Sequence, residues 1–349
     1  MQINITCCGK EYGMDSYDRE ALSLYLERHG IAPRGEVSSI EEIREGVSAE
    51  VYRVKLASGD IIVKRPLEKL KVEQEWISDT IRGKNEFKAL SITSSLLGDG
   101  TVPEPYFYDD ERRTLVMSAA PERFVTWKSL LMRKETDSRI AGLLADSLAL
   151  LHLRSMGAES FDTELNDSSR LFYELRLGPY FESLLPLYRG ERDRLLEVMG
   201  LLGERRISLV HGDFSPKNIL TDGSSRIVIL DWEVIHYGNP VFDVGFMCNH
   251  LTLKTIHLGE NNTRKWADLI RLFYSRYQSA ASDLHMSEED FFKVLGALLL
   301  ARVDGKSPVE YLSREEKDFV RKFGLHVLNS KFDSIGDYCS DLEARLRHE

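Results

Sequence analysis

Little in this chain points to export, a metal scaffold or nucleic acid. Four cysteines occur in 349 residues, Cys7, Cys8, Cys248 and Cys339. None stands at a metal-binding spacing from another cysteine or a histidine, and adjacent Cys7 and Cys8 cannot frame a disulfide scaffold. Reduced thiols in a cytoplasmic protein are therefore expected. No run approaches the roughly 18 apolar residues of a membrane span, and Met1 to Lys10 lacks the basic segment and apolar core of a secretion signal. Neither membrane nor export is expected. Basic charge is scarce as well: 46 Lys and Arg face 56 Asp and Glu, a net charge of −10. A general nucleic-acid surface is thus not expected, while cationic ligands are compatible with the balance. There is no internal repeat and no low-complexity linker. What is present is 42% hydrophobic and 29% charged residues, enough for a sizeable core in one two-lobed unit or two domains.

The most informative segment is His211-Gly212-Asp213-Phe214-Ser215-Pro216-Lys217-Asn218, followed by Asp231-Trp232-Glu233. Between them the chain reads as strand, turn, strand. Ile219-Leu220 leaves the loop, Asp222-Gly223 makes a tight turn, and Arg226 to Leu230 is an apolar run delivering Asp231 at its end. Such a hairpin brings Asn218 and Asp231 onto one metal ion, and leaves Asp213 to orient an attacking hydroxyl and accept its proton. These are the parts that phosphoryl transfer from a nucleotide requires.

This constellation resembles the kinase superfamily, and specifically its small-molecule branch of aminoglycoside phosphotransferases, choline kinases and methylthioribose kinases. The resemblance spans residues 36–310, with its most specific motifs in the C-terminal half. Protein kinases share the Asp, the Asn five residues on and the second Asp about 18 later. This chain departs from them at Gly212 (not Arg), at Ser215 (not Lys), at Asp-Trp-Glu (not Asp-Phe-Gly) and in lacking a following Ala-Pro-Glu. Each departure points away from protein substrates. The resemblance implies an α+β, protein-kinase-like two-lobed fold, with a small β-rich N-terminal lobe and a larger, mainly helical C-terminal lobe. Residues 1–35 would be a helical extension, 36–119 the nucleotide-binding lobe and 120–349 the catalytic and substrate lobe. It implies ATP and Mg²⁺ as cofactors, a small-molecule alcohol as the substrate partner, and a monomer or homodimer.

In the N-terminal part, Asp18 to His29 has helical periodicity with Gly30 as its stop. Val37 to Leu56 and Ile61 to Lys64 form a hairpin series around Ser58-Gly59. Within the resemblance, Glu45 to Val54, with Gly46 and Ser48, takes the place of the phosphate-covering loop. Lys64 reaches the α- and β-phosphates and needs a carboxylate. Glu86, on a helix whose Phe87, Leu90 and Ser94 are at helical spacing, is favoured over Glu73 and Glu75. Trp76, in the connection from Pro66 to Gly83, either packs in a surface loop or marks an insertion like that of methylthioribose kinases. Val102 to Asp110 and Thr114 to Ser118 form the last two strands. Ser118 to Ala120, with Met117 beside them, are the expected adenine-binding hinge.

In the C-terminal part, Ser138 to Leu153 is an amphipathic helix ending at His152, read as a core or capping histidine. Leu171 to Leu202 is expected to be mostly helical. His211 and Asp243 are expected to support the catalytic loop without a chemical step, Asp243 accepting amides either of its own helix or of that loop. Glu233 would bind metal or a substrate hydroxyl, and Trp232 would be core or a substrate wall. Ser287 caps a helix ended by Gly305. Its Arg302 either holds substrate or complements the helix C-terminus. For the acceptor, a methylthioribose-like sugar comes first, from Glu233, Trp76 and the Asp243 region, although those kinases carry Ser at the position of Asn218. An aminoglycoside comes second and an amino alcohol such as choline third. A nucleotide-binding protein without transferase activity is the reading from another class.

Overall fold

The computed structural model describes residues 19–33, 35–44, 48–70, 76–165, 167–259 and 262–348. Cys7, Cys8, Gly46, Glu73 and Glu75 lie outside the described residues. Helix α1 (Arg19–Arg28) precedes strands β1 (Val37–Ile43), β2 (Ala49–Leu56) and β3 (Ile61–Pro66). Helix α2 (Arg82–Leu97), β4 (Pro105–Asp109) and β5 (Thr114–Ser118) follow. The five strands form one antiparallel sheet in the order β1-β2-β3-β5-β4.

Alternation along β3 and β5 gives the sheet its two faces, because successive side chains point to opposite sides. Ile61, Val63 and Val116 pack with Leu22 and Leu26 of α1 in a small outer core. Leu115 and Met117 turn the other way and join the main core with Ala89 and Leu90 of α2. Lys64 is opposite Leu115 in the register, so its side chain leaves the sheet on that inner face. The segment read as an extension thus supplies, through α1, the cover of the outer face. Tyr25 fastens it by donating a 3.0 Å hydrogen bond to Asp109.

Helix α2 buries a different stripe from the one its apolar residues suggest. Arg82, Glu86, Ala89, Leu90 and Thr93 are buried, whereas Phe87 is only half-buried and packs against Tyr108. Polar Arg82 and Glu86 face inwards because each meets opposite charge there, a compensation that hydrophobic periodicity does not register.

The rest of the chain is mainly helical. It opens with β6 (Val125–Thr126), α3 (Trp127–Met132), α4 (Ser138–Ser155), α5 (Ser160–Glu164), α6 (Ser168–Phe172) and α7 (Arg192–Glu204). The expected helical run after Leu171 contains a wide-turn π-helical stretch, Tyr173–Phe181, with Pro179 inside it. Strand β7 (Ser208–Val210) pairs with β10 (His236–Gly238), and β8 (Ile219–Thr221) and β9 (Ile227–Ile229) form a hairpin that β6 extends. Helices α8 (Val241–Leu258), α9 (Thr263–Ala280), α10 (Glu288–Asp304), α11 (Arg314–Asn329) and α12 (Ile335–His348) close the lobe. Ser287 caps α10 by accepting from the Asp290 amide. Gly296 lets α10 approach α11 closely, since a Cβ there would lie 2.5 Å from the Leu328 nitrogen. No helix among the described residues is long and apolar enough to cross a membrane.

The connection between β3 and α2 is docked on the helical lobe. Trp76 is buried, and its indole N–H donates to the Glu174 carbonyl at 3.1 Å. Ser78 donates to the Glu174 carboxylate.

Leu26 is fully buried against the outer face. Leu26→Ala should lower unfolding free energy by about 2–4 kcal/mol, read as a reduced denaturant midpoint at unchanged slope. An unchanged midpoint would mean that α1 contributes nothing to the lobe.

Candidate active site

The loop between β7 and β8 owes its shape to one buried carboxylate. Asp243, in the first turn of α8, is fully buried. It accepts the amide of His211 at 2.6 Å and that of Gly212 at 2.9 Å, and His152 Nε2 lies 3.3 Å away. Of its two expected uses, the one observed is with the loop. Burial opposes the charge on Asp243, but His152, His211 and the Gly212 amide outweigh it and hold the carboxyl below its ordinary range. His152 is a buried member of this brace, with its Nδ1 2.8 Å from the Tyr277 hydroxyl. Gly212 is required by space and conformation together. Its φ is +80°, and a Cβ would lie 2.6 Å from the Val234 carbonyl.

His211 joins the two arms of the hairpin. Its Nδ1 accepts from the Asp213 amide at 3.1 Å, and its Nε2 lies 3.0 Å from the Leu230 carbonyl. Burial pushes its pKa down, which suits a neutral ring donating through Nε2. The hairpin register pairs Ile219 with Ile229, and the Leu230 amide donates to the Asn218 carbonyl, so Asn218 and Asp231 sit side by side. The turn differs from expectation. Residues 222–226 form a wider loop, because the Asp222 carboxylate accepts the amides of Ser224, Ser225 and Arg226, and Arg226 belongs to this loop.

Three donors converge on one oxygen of Asp213. Its Oδ2 is 2.8 Å from Lys217 Nζ, 3.2 Å from Arg176 Nη2 and accepts from Asn218 Nδ2 at 2.9 Å. Burial alone would raise this carboxyl, but Lys217 and Arg176 outweigh it and hold it below its usual range. Sequence reading missed both cations. Lys217 was visible four residues after Asp213. Arg176 gave no local signal, since the π-helical stretch carries it to the Gly212 carbonyl at 2.6 Å, and such stretches are frequent at functional sites.

Opposite stands Lys64, 7% exposed. Its Nζ lies 2.7 and 2.9 Å from the two oxygens of Glu86 and 2.7 Å from Asp231 Oδ1. Burial pulls its pKa down, but Asp231 and Glu86 more than offset this and raise it. Glu86 is itself raised, first by burial and also by the charges of Asp231 and Glu233. Burial opposes the charge on Asp231 too, and Lys64 and Lys217 overcome it and hold Asp231 low. Asp231 has φ +66°, a left-handed conformation that aspartate tolerates better than most residues.

Oxygens of Glu86, Asp231 and Glu233 lie within 4.8 Å of one another. Glu233, however, is engaged by Arg82, whose Nε donates to it at 3.2 Å. Arg82 is fully buried, and its remaining donors reach the carbonyls of Ser78 and Asp79 at 3.0 Å, of Ser48 at 2.7 Å and of Leu67. One guanidinium thus ties the segment before β2, the β3–α2 connection and the second carboxylate motif together. Its position at the start of α2 concealed this.

Of the remaining expected residues, Met117 is buried in the main core beside Leu90. The Ser118 amide donates to the Glu104 carbonyl and the Ala119 amide to that of Asp60, while the Ala120 carbonyl accepts from Arg53. Trp232 is no substrate wall. Its indole is fully buried, donates to the Ile229 carbonyl at 2.9 Å and packs on His211. Arg302 is not brought to the Lys64 cluster. It binds the Tyr180 hydroxyl at 3.1 Å and the Ser307 side chain at 3.0 Å.

Residues 39–272 match the model of the phosphotransferase enzyme family. Among curated proteins, a 4-hydroxytryptamine kinase of Psilocybe cyanescens is 25% identical over 267 residues, which are 66% of this chain and 72% of that protein. Among solved structures, an ethanolamine kinase of Plasmodium vivax superposes with a TM-score of 0.51 at 14% identity, covering 95% of this chain and 89% of that one. A thermostable mutant of the aminoglycoside phosphotransferase APH(4)-Ia, in ternary complex with ADP and hygromycin B, gives 0.50 at 13% identity, over 89% and 98%. At these identities the structures speak for the fold.

Replacing Arg82 by Met would leave Glu233 buried without its partner and orphan four carbonyls. We expect Arg82→Met to cost about 3–5 kcal/mol of stability, measured by chemical denaturation. A loss typical of an exposed ion pair would show that this guanidinium is not a structural tie.

Proposed function

The chain belongs to the phosphotransferase enzyme family, and we propose that it moves the γ-phosphoryl group of ATP to a hydroxyl of a small molecule, with Asp213 as the residue that receives the acceptor. The observation carrying this reading is the division of contacts around Asp213. Lys217, Arg176 and Asn218 all act on Oδ2. Oδ1 is the oxygen we assign to the incoming hydroxyl. The hydroxyl oxygen attacks the γ-phosphorus, the bond to the β,γ-bridging oxygen breaks, ADP leaves, and the hydroxyl proton passes to Asp213. A carboxylate held below its usual range is a weak base. That suffices, because the loose transition state of phosphoryl transfer asks more for orientation than for early proton removal.

The donor side is proposed from the same geometry. Asn218 spends its side-chain nitrogen on Asp213, and its side-chain oxygen is the atom we assign, with Asp231, to the cation. This all-oxygen pair suits a hard divalent cation such as Mg²⁺. Bound there with ATP, the cation would neutralise phosphate charge. Lys64, steadied by Glu86, would reach the α- and β-phosphates, and in doing so exchange part of its contact with Asp231. Glu233 acts in this reading by keeping Arg82 in place, which supports the segment at Ser48. Gly46, in the proposed phosphate-covering loop, lies outside the described residues. Ser118 to Ala120 remain the proposed adenine hinge, with Met117 behind them.

Among acceptors we favour a sugar-like alcohol of the methylthioribose kind over an aminoglycoside or an amino alcohol. The cavity beside Asp213 that includes Arg302 carries four cations, Lys128, Lys217, Lys254 and Arg302, against one carboxylate, Glu310. An amine, such as the name of the 4-hydroxytryptamine kinase implies for that relative, would meet like charge there.

The test is nucleotide turnover in variants. Asp213→Ala should abolish acceptor-dependent ADP release, by about 10³-fold or more, with Mg-ATP affinity largely kept. Asp231→Ala should also weaken Mg-ATP binding, by about tenfold or more. Full turnover by Asp213→Ala would remove the mechanism. ATP binding without turnover across a broad alcohol panel would favour a nucleotide-binding protein.

A further inference from the structure

A protein with a net charge of −10 has, beside its proposed catalytic loop, a cavity of opposite sign. Its volume is about 440 Å³, and five basic side chains line it: Lys128 of α3, Lys217 of the loop, His250 and Lys254 of α8 and Arg302 of α10. The single carboxylate on the lining is that of Glu310, which is exposed at the rim. Among the described residues, no carboxylate comes within ion-pair distance of exposed Lys128, part-buried Arg302 or buried Lys254, whereas the other buried cations, Lys64, Arg82 and Arg176, each have one.

Lys254 is the sharpest case. It is 1% exposed, and its ammonium lies 5.4 Å from the centre of the Tyr311 ring, a weak substitute for a counter-ion. Burial first, then Lys128 and Arg302, push its pKa down to about 7. Burial and the same cations also hold His250 well below its ordinary value. Three further polar atoms of the lining are buried without a hydrogen-bond partner: His250 Nε2, Arg302 Nε and the Tyr311 hydroxyl. His250 is itself 7% exposed. Buried polar groups are normally satisfied, so polar atoms from α8, α10 and the segment after α10, left without partners around one space and each able to donate, define a ligand by what they lack. They lack a compact, multiply accepting anion.

We propose that this cavity is the acceptor subsite and that it holds an oxyanion carried by the acceptor, a phosphate, sulfate or carboxylate group, while a hydroxyl of the same molecule reaches Asp213. The proposal rests on the phosphotransferase reading above and narrows its acceptor to a sugar-like alcohol that bears an acid, which methylthioribose itself, a neutral sugar, does not. Lys217 supplies the connection, since it lines the cavity and its Nζ is 2.8 Å from Asp213 Oδ2. An anion seated against Lys254, Arg302 and His250 satisfies the idle donors, returns Lys254 to full charge and sits one side chain away from the reacting centre. The chemistry that must precede this enzyme would then supply an alcohol already bearing an acidic group, and the product would bear two.

Titration calorimetry, with and without Mg-ADP, tests this with glycerol 3-phosphate and glycerate as anionic probes and glycerol and ethanolamine as controls. Both anions, or one of them, should bind in the millimolar range or tighter while the controls do not. Preference between the two tells phosphate from carboxylate. Lys254→Met and the exposed charge reversal Lys128→Glu should each weaken the anion about tenfold or more, and leave Mg-ADP affinity within about twofold. Lys128→Glu keeps the test sound if the buried substitution unfolds the chain. Undiminished anion binding in Lys128→Glu, no anion binding at millimolar concentration, or faster turnover of neutral or cationic alcohols than of their anionic counterparts would overturn the proposal. Loss of Mg-ADP binding by the unmodified protein would instead count against the phosphotransferase mechanism, while the titration without nucleotide still judges the cavity.

Discussion

A buried ammonium shared by two lobes organises this molecule. Lys64 leaves β3 on the inner face of the sheet and ends between Glu86 of α2 and Asp231 of the hairpin. Removing an ammonium and two carboxylates from water costs several kcal/mol per ion, which only close mutual contact offsets. The small lobe therefore cannot shift far from the hairpin without stranding a charge. Arg82 repeats the device one turn earlier on α2, linking Glu233 to the carbonyls of Ser48, Ser78, Asp79 and Leu67. Two cations, one from β3 and one from α2, thus each grip one carboxylate of the Asp-Trp-Glu motif. Trp232 lies between those carboxylates in sequence, and by filling the core beneath His211 it keeps them on the same side.

The catalytic loop is held from the opposite direction by Asp243, which accepts two successive loop amides. Its charge is maintained by donors alone, in a place water does not reach. Rigid support on one side and ion pairs on the other suit a reaction whose acceleration comes mainly from positioning and from matching charge. The charge is also partitioned. Carboxylates gather where a nucleotide's metal is proposed to bind, and unpaired cations gather in the cavity across Asp213. Net charge, a sum over the whole surface, hides this polarity. The acidic balance read from composition as compatible with cationic ligands is the reverse of what lines the cavity.

The legible parts were those encoded over short distances. Strand alternation in Ile61 to Lys64, the Ser287 cap and the loop-strand-turn-strand run from His211 to Asp231 each depend on neighbours a few residues apart, and pattern reading placed them. Hydrophobic spacing on α2 marks Phe87, whereas the helix buries polar Arg82 and Glu86, of which the resemblance to kinases pointed to Glu86 alone. Hydrophobic period assigns burial by apolarity and cannot anticipate a charge satisfied by a distant partner. The turn at Asp222 widened because a side chain took the role of backbone pairing.

By itself, the sequence determined the chemistry available: an Asp, an Asn and a second Asp at hairpin spacing, a lysine at the end of a strand, and a glycine where no side chain fits. Only the tertiary structure decided which charges meet. Arg176 reaches Asp213 through a π-helical stretch, Arg82 finds Glu233, and Lys128, Lys254 and Arg302 surround one cavity from three separate helices. Spacing along a chain fixes contacts within a turn or a hairpin. Contacts between helices distant in sequence are set by how the core packs, and here that packing left the cations without a carboxylate.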